Sequence, residues 1–298
     1  MSRKPRTHFR KGTSAVQQYV GTDKYYFCPL CADGFPETWI DSGQLTLEHV
    51  PPKTLGGRGL LLTCRECNGL GGRTVDPALA NREKQRTFSD LVLGRETTYR
   101  GPAKWESGGV TLNVEVYRQG KYLTVAGDPA RNNPAVVEQM MKGDFLNGRI
   151  TSDVRYHRRN ASIGDLRTAY LAAFALLGYR YVFHSVFDQI RKQIANPDSI
   201  ILNSFFVSLD PETPVRRQIF EAPTPHCVVV QFDRIAVLFP IPGRSDDLYQ
   251  YLSNRQGRME LNLSSALGWP RGMELREDFN EQSRLPFPSL LRGDLTVA

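Results

Sequence analysis

Two Cys-x-x-Cys pairs constrain this chain more than any other feature of its sequence. Cys28 and Cys31 form the first pair, and Cys64 and Cys67 form the second. Thiols stay reduced in a chain without a secretory signal, and four thiolates complete the tetrahedral shell that Zn²⁺ prefers. The spacing therefore predicts one structural zinc site, since four cysteines leave no open position for a water molecule. Two unrelated pairs, redox or incidental, are the alternative interpretation.

Composition and charge narrow the class of protein further. The 298 residues contain 38 Lys and Arg against 31 Asp and Glu, a net charge of +7, which favours a polyanionic partner without requiring one. The apolar runs are shorter than the roughly 18 residues needed to cross a bilayer. The basic N-terminus has no apolar stretch behind it, so no secretory signal is predicted. We therefore expect a cytoplasmic protein with no membrane association.

A hairpin followed by a helix is predicted around the second cysteine pair. Residues 45 to 50 alternate between apolar and polar, and a diproline ends that run; residues 59 to 63 form a second strand-like run. Glu48 and His49 lie at the end of the first run, and Asn68 follows the last cysteine. The fifth cysteine, Cys227, lies in an apolar run, where a buried thiol explains it better than a nucleophile.

This arrangement resembles the zinc-containing HNH endonucleases of the ββα-metal class. The shared pattern is Cys-x-x-Cys, then Glu-His-x-Pro-x-Lys-x-x-Gly-Gly, then Cys-x-x-Cys-Asn, over about a quarter of the chain. Its order is similar to that of the phage junction-cleaving endonuclease VII branch. The resemblance implies a metal-dependent endonuclease that hydrolyses DNA phosphodiester bonds, in restriction or antiphage defence. RNA stays an alternative substrate, because such a site binds phosphates.

The resemblance also assigns roles to individual residues. His49 corresponds to the general base, because an imidazole can take a proton from water at neutral pH. Glu48 and Asn68 correspond to the ligands of one catalytic Mg²⁺ or Mn²⁺ ion, which prefers oxygen donors. Gly59 stands where the family has a central Asn. Four basic residues near the motif are candidates for nucleic-acid binding, with solvated surface charge as the alternative: Lys53, Arg58, Arg65 and Arg73.

The expected fold class is α+β, in three parts. Residues 1–23 form a basic arm, residues 24–98 form the ββα-metal zinc module, and residues 99–298 form a larger mixed domain. In that domain the sequence predicts a long helix from Ile163 to Ile194, which Gly178 can kink, and antiparallel strands, three of them between Val215 and Pro240.

The large domain carries no motif that points to chemistry. By elimination it is expected to select the substrate, to bind a protein partner or to sense an activating ligand. The alternative to the nuclease is a catalytically silent zinc module that binds nucleic acid or a protein partner. The presence of Glu48, His49 and Asn68 together favours the nuclease, because a silent module has no need to keep all three.

Overall fold

The chain divides into two compact units whose sheets are antiparallel. The computed structural model describes residues 3–127, 130–142, 147–209, 213, 216–254, 261 and 263–276. One unit joins the first 76 residues to those from Ser162 onwards, and the other is Pro77–Ala161. All strand pairs in these ranges are antiparallel, so the predicted α+β class is confirmed. No helix within the described ranges is long and apolar enough to cross a membrane.

The N-terminal segment is a helix and contributes to the core. Helix α1 covers Arg3–Val20, where the sequence predicts a basic arm. Its Phe9 and Val16 are buried in the main hydrophobic core, because apolar residues seven positions apart lie on one face of a helix. The described part of this segment is therefore a folded element of the first unit.

A β-hairpin followed by a helix occupies the first unit. The elements after α1 are β1 Tyr25–Phe27, β2 Gly34–Pro36, α2 Thr38–Asp41, β3 Leu45–Val50, β4 Arg58–Cys64 and α3 Arg65–Val92. Strand β1 pairs with β2, and β3 pairs with β4. A 3₁₀ turn, Lys53–Leu55, lies between β3 and β4. The predicted hairpin and the helix that follows it are confirmed.

Within the described residues, the second unit contains a four-stranded sheet, one complete helix and the part of α3 from Pro77 onwards. Its elements are β5 Thr98–Ser107, β6 Val110–Gln119, β7 Tyr122–Gly127, α4 Pro134–Lys142 and β8 Arg149–Thr151, with strand order β7-β6-β5-β8. The predicted boundary between residues 98 and 99 falls at the start of β5. Tyr99, Ala103 and Trp105 bury the same face of that strand in the core of this unit, since alternate residues of a strand share a face.

In the described residues, the rest of the first unit contains four helices and a five-stranded sheet. Its elements are α5 Arg158–Leu177, α6 Tyr179–Val182, α7 Asp188–Ala195, β9 Phe206–Ser208, β10 Arg216–Pro223, β11 His226–Asp233, β12 Ile235–Pro240, α8 Leu248–Asn254 and β13 Ser265–Gly268. The strand order is β13-β10-β11-β12-β9. The strands predicted before Pro240 are confirmed, although Val215 lies outside the described residues.

The predicted long helix is broken twice, at Gly178 and again between Val182 and Asp188. Gly178 has φ +87°, a conformation that glycine adopts without the penalty other residues incur, and it separates α5 from α6. Helix α5 is buried along most of its length, and its residues share one hydrophobic core with Leu60, Leu61 and Leu62 of β4. The hairpin and the C-terminal elements therefore fold as one unit, and the predicted division at residue 98 does not separate them.

Candidate functional site

The four paired cysteines come together at one end of the hairpin. Cys28 and Cys31 lie around the turn between β1 and β2, Cys64 ends β4, and Cys67 lies in the first turn of α3. Their sulfurs lie within 4.8 Å of one another, and the Cys31 and Cys64 sulfurs are 3.9 Å apart. Tetrahedral Zn–S bonds of about 2.3 Å place sulfurs about 3.8 Å apart. The cluster is therefore compatible with a zinc ion.

Backbone groups also suit a cluster of thiolates. The Cys64 N–H donates to the Cys28 sulfur at 3.4 Å, and the Cys67 N–H donates to the Cys64 sulfur at 3.4 Å. Hydrogen bonds of this kind favour the charged form of the acceptor. Cys227 is buried in β11, and burial raises its pKa to about 12, which agrees with an inert thiol.

Glu48 lies at the centre of a buried polar network. Its side chain is 4% exposed and binds the guanidinium of Arg167 through both oxygens, at 3.1 Å from Oε1 to Nη1 and 3.0 Å from Oε2 to Nη2. The Thr63 hydroxyl donates to Oε2 at 2.9 Å. A bidentate guanidinium is the strongest partner that a protein offers a carboxylate. Glu48 is therefore fully engaged by the protein itself.

Arg167 reaches Glu48 from α5, across α3. Its side chain is 3% exposed, and Nη1 also lies 3.5 Å from the Asp76 carboxylate. A Cβ placed on Gly71 of α3 would lie 2.6 Å from the guanidinium carbon, so this glycine makes room for the arginine. Burial lowers the pKa of Arg167, but Glu48 and Asp76 raise it more, and the net shift is upward. The guanidinium is therefore a permanent cation beside Glu48.

Asn68 lies on the same face of the hairpin as Glu48. Its amide nitrogen donates to the Thr46 hydroxyl at 2.8 Å, and Thr46 and Glu48 are alternate residues of β3. The predicted pair of metal ligands is thus brought to one face, which we call the inner face. The donor set does not fit a divalent cation in this arrangement, because both Glu48 oxygens are bound and Arg167 already supplies the positive charge.

His49 lies where the hairpin bends. Glu48 pairs with Leu61 while His49 pairs with Gly59, so Leu60 is an extra residue on β4. Such a bulge bends the strand and re-aims the side chains beside it. His49 is half-buried, and it lies four residues from the cysteine end of β3, about 13 Å along the strand. His49 is therefore well separated from the cysteine cluster, and part of the histidine is open to solvent.

Gly59 is closed to the asparagine that the family carries. A Cβ at this position would lie 2.5 Å from Cδ2 of Leu47, so Leu47 fills the space that a side chain would need. At this point of the hairpin, the apolar side chain of Leu47 lies where the resemblance implies a polar asparagine side chain.

The four predicted phosphate-binding residues are all exposed, but they lie in two places. Lys53 and Arg58 flank the turn between β3 and β4, which we call the open end of the hairpin. Arg65 and Arg73 lie on the first turns of α3, beyond the cysteine end of β4. The strand that separates Arg58 from Arg65 is about 20 Å long. One phosphate therefore cannot contact both pairs.

A basic pocket at the open end contains residues that the sequence did not single out. It has a volume of about 570 Å³ and includes Val50, Arg58, Arg217 and Trp269 in its lining. The missed buried arginine, Arg167, had a visible signal, since it and Asp165 are the two charged residues in the otherwise mostly apolar run 161–177. Arg217 and Trp269 had no such signal, because they join Arg58 only through the fold.

Comparison with known proteins gives no match. No family model matches the chain, and no curated protein or solved structure does so either. The likeness to HNH endonucleases therefore depends on the motif residues and on the hairpin and helix that carry them.

Proposed function

We propose that this protein binds nucleic acid at the open end of the hairpin and hydrolyses its phosphodiester bonds, in the manner of an HNH endonuclease. One observation carries the proposal: His49 precedes Val50 and pairs beside Arg58, and both of these residues line the basic pocket. The half-exposed His49 and the guanidinium of Arg58 thus belong to the same end of the hairpin, where an imidazole can act on a water molecule and a guanidinium on the phosphate that this water attacks.

The residues divide the chemistry as follows. Arg58 and Arg271, which both line the pocket, bind the phosphate and reduce its negative charge, as arginine does through its planar donors. His49 takes a proton from water, whose oxygen forms a bond to phosphorus as the bond to the 3′ oxygen breaks. The leaving 3′ oxygen then takes up a proton. No step is assigned to a divalent cation, since Glu48 is bound to Arg167.

A specific observation favours the second candidate, a catalytically silent zinc module that binds nucleic acid. Arg167 holds the carboxylate that the family offers to its metal ion, and Leu47 fills the place of the family's central Asn. A chain that binds without cutting would retain the basic pocket and need neither group.

Cleavage of supercoiled DNA separates the two candidates. The full chain, loaded with zinc, is incubated with DNA in no added cation, in Mg²⁺ and in Mn²⁺, beside His49→Ala and the matched control His226→Ala, which changes an exposed histidine of β11. We expect wild type and the control to nick the DNA, and His49→Ala to be about 100-fold slower or worse. Equal cleavage by His49→Ala would reject the proposed mechanism. A gel shift without cleavage in any cation would establish the silent module.

A further inference from the structure

The basic pocket at the open end is large enough for more than a phosphate group. Its volume of about 570 Å³ falls within the range of small-molecule sites, which is about 300–1,000 Å³. Three parts of the first unit form it: the turn region of the hairpin, Arg217 of β10, and residues 267–276, which end β13 and follow it. Its lining consists of Val50, Gly56, Arg58, Leu60, Arg217, Leu267, Gly268, Trp269, Pro270, Arg271, Glu274 and Arg276.

One wall of the pocket is fixed by hydrogen bonds across the fold. Arg217 of β10 donates to the carbonyl oxygens of Leu55 at 2.6 Å and Gly56 at 3.3 Å. The turn itself is tightly packed, because a Cβ on Gly57 would lie 1.5 Å from the Pro51 carbonyl oxygen. The wall is therefore held in place before any ligand arrives, which lowers the entropy cost of binding.

The pocket lining has an excess of positive charge. Four arginines line it against one acidic residue, Glu274, and that carboxylate already accepts from the Arg276 guanidinium at 2.9 Å and from the Arg271 N–H at 3.1 Å. The side chains of Arg58 and Arg271 have no hydrogen-bond or ion-pair partner among the described residues, and both residues are exposed. Two guanidinium groups are thus available to an anion.

The remaining lining is apolar and includes one large aromatic ring. Trp269 is half-buried, and Leu60, Leu267 and Val50 lie in the same lining. An inorganic anion gains nothing from such a surface. A flat aromatic base does, because stacking on an aromatic side chain contributes about 1–3 kcal/mol and accepts any base.

We propose that this pocket binds a nucleoside phosphate, with the base against Trp269 and the phosphate against Arg58 and Arg271. The inference rests on the proposed function, since the nucleotide would belong to the strand on which His49 acts. It also agrees with the expectation that the C-terminal part of the chain selects the substrate, because Trp269 and Arg271 belong to that part. The shared chemistry has two sources, a free nucleotide or one unpaired nucleotide of a strand.

The pocket is tested by calorimetric titration of the zinc-loaded full chain without added divalent cation. The probes are AMP, dTMP, ribose 5-phosphate, inorganic phosphate, a single-stranded oligonucleotide and a glutamate-rich peptide. We expect AMP and dTMP to bind at least 10-fold more tightly than inorganic phosphate and ribose 5-phosphate. A single-stranded oligonucleotide that binds more tightly than AMP identifies a strand as the source; equal or weaker binding identifies the free nucleotide.

Matched variants assign the binding to the pocket. Trp269→Ala is expected to weaken AMP binding about 5- to 100-fold, and Arg58→Ala about 10-fold. Trp39→Ala, at an exposed tryptophan of α2, and Arg155→Ala, at an exposed arginine of the second unit, are expected to leave it unchanged. The proposal is overturned if AMP binds no better than phosphate, if the pocket variants bind like wild type, or if the peptide competes with AMP at similar affinity.

Failure of this proposal is distinguishable from failure of the proposed function. AMP binding without DNA cleavage would reject the hydrolysis alone. DNA cleavage that persists in Arg58→Ala and Trp269→Ala, with no AMP binding, would reject the pocket alone.

Discussion

The inner face and the open end of one hairpin use arginine in opposite ways. On the inner face, Arg167 is buried and binds Glu48 through two hydrogen bonds. At the open end, Arg58 is exposed beside Arg217 and a pocket with excess positive charge. A buried arginine whose charge is balanced stabilises the fold, whereas an exposed one whose charge is unbalanced can bind a ligand. The groups that are available to bind a ligand therefore lie near the turn of the hairpin, and not at the Glu48 carboxylate.

The largest expected effect concerns the four-cysteine cluster, whose geometry is compatible with a zinc ion. Cys64→Ser removes a ligand that ends β4, one residue before α3 begins. Structural zinc sites contribute about 10 kcal/mol or more in small domains, which is comparable to the whole stability of a typical fold. We expect the variant to lose one equivalent of zinc and the cooperative thermal transition of the first unit.

Zinc content by atomic absorption and thermal unfolding by circular dichroism test this expectation. Cys227→Ala is the matched control, since Cys227 lies in β11 and outside the cluster, and it should retain its zinc. A Cys64→Ser protein with full zinc content would show that the four-cysteine cluster does not bind the zinc.

The next largest effect concerns the Glu48–Arg167 pair. Arg167→Met leaves Glu48 buried without a cation, which costs about 3–5 kcal/mol of unfolding free energy. Arg167→Met combined with Glu48→Gln should recover much of this loss, because the Thr63 hydroxyl still has an acceptor. Urea unfolding measures both variants. The idea that Arg167 balances Glu48 fails if the single and double variants are equally unstable.

The same variant sharpens the question of a catalytic cation. If Glu48 binds Mg²⁺ or Mn²⁺ once the guanidinium has gone, millimolar Mn²⁺ should raise the melting temperature of Arg167→Met and leave wild type unchanged, since a ligand stabilises the state that binds it. An equal response in both proteins would mean that Arg167 does not exclude the ion.

His8 gives a pH-dependent test on the helix that packs against the hairpin. Its ring is 5% exposed, and burial, with Lys4 and Lys11, lowers its pKa from 6.5 to about 4. The unfolded chain then takes up this proton at a higher pH than the folded chain. Stability is therefore complete above about pH 6.5 and is lost as the pH falls to 4, by about 3 kcal/mol in all.

His8→Gln supplies the comparison, because an amide does not titrate in this range. Urea midpoints at pH 7, 6, 5 and 4 should diverge between the two proteins, with wild type falling more steeply. Parallel pH profiles would show that the pKa of His8 is the same in the folded and the unfolded chain.

The local elements of this fold were predictable, because each depends on neighbouring residues. The two Cys-x-x-Cys pairs predicted the four-cysteine cluster. The alternation of apolar and polar residues up to the diproline predicted β3. The kink at Gly178 followed from the conformational freedom of glycine. Helix α1 was missed because a run rich in Arg and Lys conceals the few apolar residues that bury it, Phe9 and Val16.

The parts that escaped prediction all depend on distant residues. The partner of Glu48 lies 119 positions away on α5, and the pocket joins Arg58 to Trp269 from opposite ends of the chain. The core that β4 shares with α5 is a third example, since no local pattern shows it. Helix α3 contains three glycines soon after Asn68, which disfavour a helix; it forms nevertheless, and Gly71 among them makes room for Arg167.

The smallest expected effect uses two adjacent glycines of α3 with opposite surroundings. A Cβ on Gly71 would lie 2.6 Å from the Arg167 guanidinium, whereas a Cβ on Gly72 meets nothing within 4 Å. The guanidinium cannot step aside without losing its bonds to Glu48, so Gly71→Ala should cost about 1–3 kcal/mol. Gly72→Ala should instead stabilise the protein by up to about 1 kcal/mol, because alanine favours a helix. Urea unfolding of the two variants gives the sign of each change. If both changes are stabilising, the Arg167 guanidinium is free to move away from Gly71, and the inner face tolerates an added methyl group.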